Sequence, residues 1–448
     1  MKEDNLVMLR LETDYGYSNT WWRVKFIDND GTFIGELERC HWLEFTEYKK
    51  GEKAGARGYF EWCTGSGKSY LACLAIKLCN ERHPGKKINV VVPTTVLQEA
   101  WIDDKKGHIK VHNLKDVEVF VINTYIKDQH DCALLVIDEV HTATGAKSKH
   151  FNTVIDRTKY HWILCLSATL EKDHLEHLHK RNINCISKLS AHEAVENGWL
   201  SPYRILCVPV ELNDSDRERY DKMHKEFNKH FATFEFDFDL AMKCVTSKNA
   251  RVELANKLGW ETGRVDAAVF NWNRNMRLRK EFLYHVDAKI DAAIEITKTL
   301  QMQTILFGQS IKGADKISES LDDKCVEYHS KMTAKQLKEN LKRLRDGRTK
   351  VDYISSAKSL EAGFDLPNLQ LGITWSRTSK ALRATQTLGR ILRKVEGKTA
   401  YFIELYVPDT QDQNWLKKSL IGQKNVLWLK SIDQIYQIIE NDKQKQLL

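Results

Sequence analysis

No apolar run in this 448-residue chain approaches the roughly 20 residues that a membrane-spanning helix needs. Its opening, Met1-Lys2-Glu3-Asp4-Asn5, is too charged to begin an apolar leader. The expectation is a cytoplasmic protein, in the host cytoplasm if a virus encodes it, with no membrane partner. The ten cysteines are scattered from Cys40 to Cys325 without a CxxC pair. That spacing argues against a structural zinc site and suits free, mostly buried thiols in a reducing compartment. Internal repeats, low-complexity tracts and a nuclease constellation are also missing. Nor is there much charge of one sign: 69 Lys and Arg against 61 Asp and Glu leave +8. Such a balance suits a polyanionic partner without requiring one.

At this length two to three domains are expected. Residues 1–55 read as an accessory β-rich unit. Trp21 to Ile27 and Thr32 to Leu37 are its two strands, with Asp28-Asn29-Asp30-Gly31 as the turn between them. This hairpin either packs its aromatics on the next domain or serves as a nucleic-acid-binding element, since Arg23 and Lys25 sit among Trp and Tyr. Residues 56–205 alternate strand, loop and helix. Runs such as Ile88 to Val92, Val117 to Ile122, Ala133 to Ile137 and Trp162 to Leu166 are nearly continuous and apolar. They read as strands buried on both faces, hence a parallel sheet in an α/β domain. Residues 206–295 change to a charged helical pattern and read as a bridge or insertion. In residues 296–408 the alternation returns, with Thr304 to Phe307, Val351 to Ile354 and Leu371 to Thr374 as candidate strands. Residues 409–448 form an extension expected to pack back on the second α/β domain.

Seven motifs lie along this framework, most of them where a strand run ends. Ligands bind at that carboxyl edge in open α/β folds. Cys63-Thr64-Gly65-Ser66-Gly67-Lys68-Ser69 is a phosphate-binding loop in pattern, although Trp62 stands where a Gly is usual. Gly65 and Gly67 let backbone N–H groups point at phosphate, and the following helix adds its positive end. Lys68 reaches the β- and γ-phosphates, and the Ser69 hydroxyl can ligate Mg²⁺. In Asp138-Glu139-Val140-His141, Asp138 would hold Mg²⁺ and Glu139 would orient and deprotonate the attacking water. Arg390 and Arg393, one helical turn apart, suit bidentate contact with a phosphate that gains charge in transfer. His174, His177 and His179 follow no zinc spacing and are expected on an exposed helix. The run Trp272 to Lys280, with Arg274 and Arg277, either touches a nucleic-acid backbone and stacks a base or is a solvated helix face.

Together with Pro93-Thr94-Thr95, Ser167-Ala168-Thr169, Phe307-Gly308-Gln309-Ser310, Glu361 to Pro367 and Gln386 to Arg393, these motifs resemble those of superfamily 2 DExH helicases and translocases. The pattern looks most like phage UvsW-type and XPB-like DNA helicases, and is akin to the motor parts of restriction enzymes. The resemblance spans residues 60–408 and implies two RecA-like domains, with ATP between them and nucleic acid across their top. It implies that Thr64, Gly65, Ser66, Gly67, Lys68 and Ser69 bind ATP, with Gly363 and Asp365 near the ribose. Gln386 and His141 would link the γ-phosphate to the nucleic-acid side, and Ser167 and Thr169 would couple hydrolysis to domain movement. Thr94, Thr95 and Ser356 would touch the sugar-phosphate backbone. Many relatives carry a glutamine upstream of the phosphate loop, but this chain has no Gln before Gln98. The implied activity is an ATP-dependent, Mg²⁺-requiring DNA helicase acting on single-stranded, forked or branched DNA in replication, recombination or repair. An RNA helicase and a duplex-DNA translocase subunit of a restriction or defence assembly are the alternatives.

Overall fold

The computed structural model describes residues 8–14, 17–27, 33–37, 57–145, 148, 151–345, 351–357, 369–377, 392, 394–395 and 397–447. Three strands come first: β1 (Met8–Asp14), β2 (Tyr17–Ile27) and β3 (Phe33–Leu37). They form an antiparallel sheet in sequence order, with Leu9 opposite Trp22 and Val24 opposite Leu37. β2 and β3 are the arms of the expected hairpin, and β1 adds a third strand that the sequence reading did not include.

Six strands build the next sheet: β4 (Arg57–Trp62), β5 (Ile88–Val92), β6 (Val117–Val121), β7 (Asp131–Ile137), β8 (Lys159–Ser167) and β9 (Asn184–Leu189). All pairings are parallel, in the order β6-β5-β7-β8-β4-β9. β5 is buried along its whole length and β7 along all but Asp131, as continuous apolar runs require. One apolar layer, with Trp62, Ile76 and Trp101, fills the side of the phosphate-loop helix Lys68–Arg82. Another, with Tyr125, Ile155 and Leu178, fills the opposite side.

The second sheet contains β10 (Tyr203–Pro209), β11 (Thr304–Gly308), β12 (Cys325–His329), β13 (Tyr353–Ala357), β14 (Leu371–Thr374), β15 (Ala400–Tyr406) and β16 (Val426–Trp428). It too is parallel throughout, in the order β12-β13-β11-β14-β15-β10-β16. β10 therefore belongs to this sheet, and the boundary expected at residue 205 falls inside it. Its buried run, Ile205 to Val208, finds its partner in β15, far along the chain. The fold is α/β, with two parallel-sheet domains.

Between β10 and β11 stand the helices Asp214–Phe231, Phe238–Thr246, Lys248–Leu258, Thr262–Tyr284 and Asp287–Leu300. The first four close around Trp272, which is fully buried against Phe227, Phe231, Phe234 and Phe238. The aromatic spacing that sets this segment apart in sequence is thus its own small core.

The C-terminal segment is built onto the second sheet. β16 pairs with β10, and the helix Asp433–Leu447 is fastened by Asp442. Arg204 grips Asp442 with two bonds of 2.6 Å, and the Tyr401 hydroxyl donates to it at 3.1 Å. Lys289 and Asp412 form a fully buried ion pair at 2.7 Å. Removing one partner of such a pair leaves an uncompensated charge and costs about 3–5 kcal/mol.

Candidate functional site

β4, β5, β7 and β8 run parallel, so the residues that follow them gather at one edge. β4 leads to the phosphate loop, β5 to Pro93-Thr94-Thr95, and β7 to Asp138; β8 ends on Ser167. Gly65 and Gly67 take φ of 86° and 90°, a region that side chains disfavour. The helix that begins at Lys68 has no capping side chain and no acidic residue in its first turn. Its leading N–H groups are left to an anion.

Lys68 is 8% exposed, and its ammonium donates to the carbonyls of Trp62 at 3.0 Å and Cys63 at 3.3 Å. The Ser66 hydroxyl donates to the Cys63 carbonyl at 2.7 Å, tightening the loop. Thr64 Oγ1 is buried and has no hydrogen-bond partner among the described residues. Asp138 is 5% exposed. Burial, then the charge of Glu139, pushes its carboxyl up to about 7, against the pull of Lys68. An ammonium, two hydroxyls in reach of the loop (Thr64, Ser69) and a buried carboxylate are the donor set that a nucleoside triphosphate with Mg²⁺ requires, so the residues present fit that group.

Glu139 sits at φ 51°, in the left-handed region, at the start of a single 3₁₀ turn. A non-glycine residue held there stores strain of about 1–3 kcal/mol, which the surrounding turn must offset. The Thr142 hydroxyl donates to the Glu139 carbonyl at 2.9 Å. The conformation brings the Glu139 carboxylate within 3.4 Å of His141 Nδ1. His141 Nδ1 is also 3.2 Å from Ser167 Oγ, and Ser167 Oγ donates to the Thr169 carbonyl at 3.0 Å. One step further, the Leu170 N–H donates to Glu61 at 3.1 Å, and Lys188 pairs with the same carboxylate at 2.8 Å. A polar chain thus runs from Glu139 through His141 and Ser167 to Thr169, and Glu61 ties the next residue back to β4. Glu61 carries no motif signature in sequence.

Thr94 caps the helix Thr95–Ile102 by accepting from the Leu97 N–H at 3.3 Å, and Thr95 is exposed at the same edge. Ser356 is placed otherwise: it lies inside β13 at 1% exposure, so in this structure its hydroxyl is not presented to solvent. Arg274 and Arg277 are exposed on the helix Thr262–Tyr284. Their neighbour Trp272 is not, which corrects the expectation that it stacks a base. Arg279 of the same run turns inward, lying 3.9 Å over the Phe227 ring. Of the histidines after Ser167-Ala168-Thr169, all on the helix Lys172–His179, His179 is exposed as expected but His174 and His177 are not. His174 is only 13% exposed and meets Thr144 Oγ1 at 3.1 Å. Gly363, Asp365, Gln386, Arg390 and Arg393 lie outside the described residues. Leu392, between the two arginines, is fully buried, and its carbonyl accepts from the Ser201 N–H at 2.8 Å. The nine described cysteines are free thiols. Among the described residues no helix is long and apolar enough to cross a membrane.

Known proteins share both halves of this arrangement. Residues 38–124 match the family model described as type III restriction enzyme, res subunit, and residues 288–395 match the helicase conserved C-terminal domain. The DNA 3'-5' translocase XPB2 of Sulfurisphaera tokodaii is 24% identical over 371 residues, 80% of this chain and 79% of that protein. Among solved structures, S. cerevisiae Dbp5 bound to RNA and ADP BeF3 aligns with a TM-score of 0.56 at 11% identity, over 87% of this chain and 90% of that one. The ATP-dependent Type ISP restriction-modification enzyme LlaBIII bound to DNA aligns with a TM-score of 0.52 at 13% identity, over 87% of this chain and 31% of that one. These likenesses carry the two-domain RecA-like fold. The motif order, the two family models and the XPB2 relative make this chain similar to the superfamily 2 helicases and translocases.

Proposed function

We propose that the protein is an ATP-dependent DNA helicase or translocase that remodels forked or branched DNA. The observation that carries the reading is the polar chain from Glu139 through His141 to Ser167 and Thr169. It joins Glu139, the neighbour of the Asp138 carboxyl that Lys68 acts on, to the segment that follows β8, so that a change at the phosphate site would be transmitted along the sheet edge. DNA is favoured as the track because the XPB2 relative is a DNA translocase.

In this reading the phosphate loop, Thr64 to Ser69, grips the triphosphate and Lys68 leaves its two carbonyls for phosphate oxygens. Ser69 and Asp138 would hold Mg²⁺, whose charge offsets that of the phosphates and of the raised Asp138 carboxyl. Glu139 takes the proton of the attacking water. His141 reads the state of Glu139 and passes it to Ser167. Gly363 and Asp365 would border the ribose, and Gln386, Arg390 and Arg393 would meet the phosphates from the second domain. The Ser201–Leu392 bond holds the connector between the domains against Leu392, which lies between Arg390 and Arg393 in sequence. Thr94 and Thr95 would hold the sugar-phosphate backbone, which positions a strand without reading its bases. Arg274 and Arg277 offer the bridge as a second phosphate contact.

A second reading, transport of duplex DNA without strand separation, is favoured by the match of residues 38–124 to a restriction-enzyme motor. ATP hydrolysis measured with no polynucleotide, single-stranded DNA, duplex DNA, forked DNA and RNA, with Lys68→Ala as the blank, separates the readings. Strongest stimulation by forked DNA supports the proposal. Duplex DNA alone favours the transport reading, and RNA alone overturns the DNA assignment.

A further inference from the structure

The phosphate-loop helix Lys68–Arg82 carries Cys73 one turn beyond Ser69, fully buried. Against it lies the short helix His108–Val111 with its capping residue His112. His108 and His112 are four residues apart, so their rings leave the turn on one side. The rings stack 6.0 Å apart at 14°. The sulfur of Cys73 and one nitrogen from each imidazole all lie within 4.8 Å of one another. Trp101 closes the inner side, its ring edge-on to His108 at 5.0 Å, and Tyr70 lies 5.3 Å from His112.

We propose that Cys73, His108 and His112 form a binding site for a thiophilic divalent cation of the Zn²⁺ class. Two imidazole nitrogens and one thiolate are a zinc-type donor set, and the His-x₃-His spacing is that of zinc-binding histidine pairs. A tetrahedral ion holds such atoms about 3.3–3.6 Å apart, so small side-chain rotations bring the three into place. His112 is half-buried, and the part of it that meets solvent leaves room for a water as fourth ligand. Each imidazole would ligate through a ring nitrogen in its neutral form. Burial keeps the Cys73 thiol protonated, while the nearby Lys77 favours the thiolate. Binding exchanges the S–H bond for an S–metal bond and releases the proton to solvent. The missing CxxC pair, which argued against zinc in the sequence, does not bear on a site with a single sulfur.

The site's place defines its use. It would staple the helix that holds the phosphates to the segment following the helix that Thr94 caps. It shares no residue with the nucleotide site, so the bound ion is structural.

The test is Co²⁺ titration of the full chain, followed by absorption. The expected result is a thiolate-to-cobalt charge-transfer band that saturates at one equivalent and vanishes in Cys73→Ser. In His112→Gln, affinity should fall roughly 100-fold, the share of one ligand in such a site. Zn²⁺ should raise the melting temperature of the parent and leave that of His112→Gln unmoved. The clusters Asp315–Glu327–His329 and Glu171–Asp173–His174 contain no sulfur, so cobalt bound there is silent in this band. Absence of the band in the parent, or a band with unchanged affinity in His112→Gln, overturns the proposal. Because His112 is less buried than Cys73, that variant serves even if Cys73→Ser fails to fold.

Discussion

His141 is the donor to Ser167. The only proton of the Ser167 hydroxyl goes to the Thr169 carbonyl at 3.0 Å, so the 3.2 Å contact requires a proton on His141 Nδ1. The same N–H faces the Glu139 carboxylate at 3.4 Å. One proton is therefore shared between the group that would handle water and the strand end that would report it.

Replacing Ser167 by Ala removes the acceptor and leaves the phosphate loop untouched. Basal ATP hydrolysis should stay within about twofold of the parent, while stimulation by DNA falls roughly fivefold to tenfold, the worth of one hydrogen bond. Paired measurements of ATPase rate with and without forked DNA decide the matter. Equal stimulation in parent and variant would sink the relay.

Glu139→Gln keeps the shape and removes the base. ATP binding, read by equilibrium dialysis, should persist while turnover drops by roughly 10²- to 10⁴-fold. Brisk turnover by this variant would take Glu139 out of the reaction.

Asp138 links function to stability, with a definite sign. Its folded-state carboxyl is raised, to about 7, by burial and by Glu139. The stability associated with its protonated form is fully present below the ordinary carboxylate range and is lost as pH rises through that value. Asp138→Asn should therefore melt at a higher temperature than the parent at pH 8 without ligand, with the difference closing near pH 4, while hydrolysis is lost. Calorimetry across that range checks the sign.

Trp272→Ala should cost the helical bridge about 3–5 kcal/mol, the usual loss for a large buried aromatic. Basal hydrolysis should survive if the two sheets hold independently of the bridge. Limited proteolysis that cuts within residues 210–285 while ATPase persists is the expected outcome; simultaneous loss of both would show that the bridge and sheets fold as one unit.

What was legible in the sequence follows from burial. β5, β7 and β8 lie at the heart of the first sheet and show as unbroken apolar runs. β9, Asn184–Leu189, is an edge strand that buries only Ile186 and Leu189, three residues apart, and β12, Cys325–His329, carries Glu327 and His329. Neither has a period strong enough to read locally. β10 was not read as a strand, and the boundary was set at residue 205 inside it, because its partner β15 lies far along the chain. The phosphate loop and Asp138-Glu139 were legible because their chemistry is local. The linkage of Glu61 to Leu170, and of Cys73 to two histidines, exists only once distant segments meet. Trp272 shows the converse: a basic, aromatic run suggested a surface, yet its indole is the centre of a core.

The placement of β10 has a topological consequence. After β9 the described chain contributes no further strand to the first sheet, and from β10 onward every strand belongs to the second. The bridge leaves from β10 and returns to β11, so both of its ends are rooted in one body. Among the described residues the covalent path between the two sheets is accordingly a single connector, residues 190–202, while a shared apolar core and the Lys338–Glu99 pair also join them. Any displacement of one sheet against the other would therefore leave the bridge with the second, carried along as cargo rather than bent as a spring.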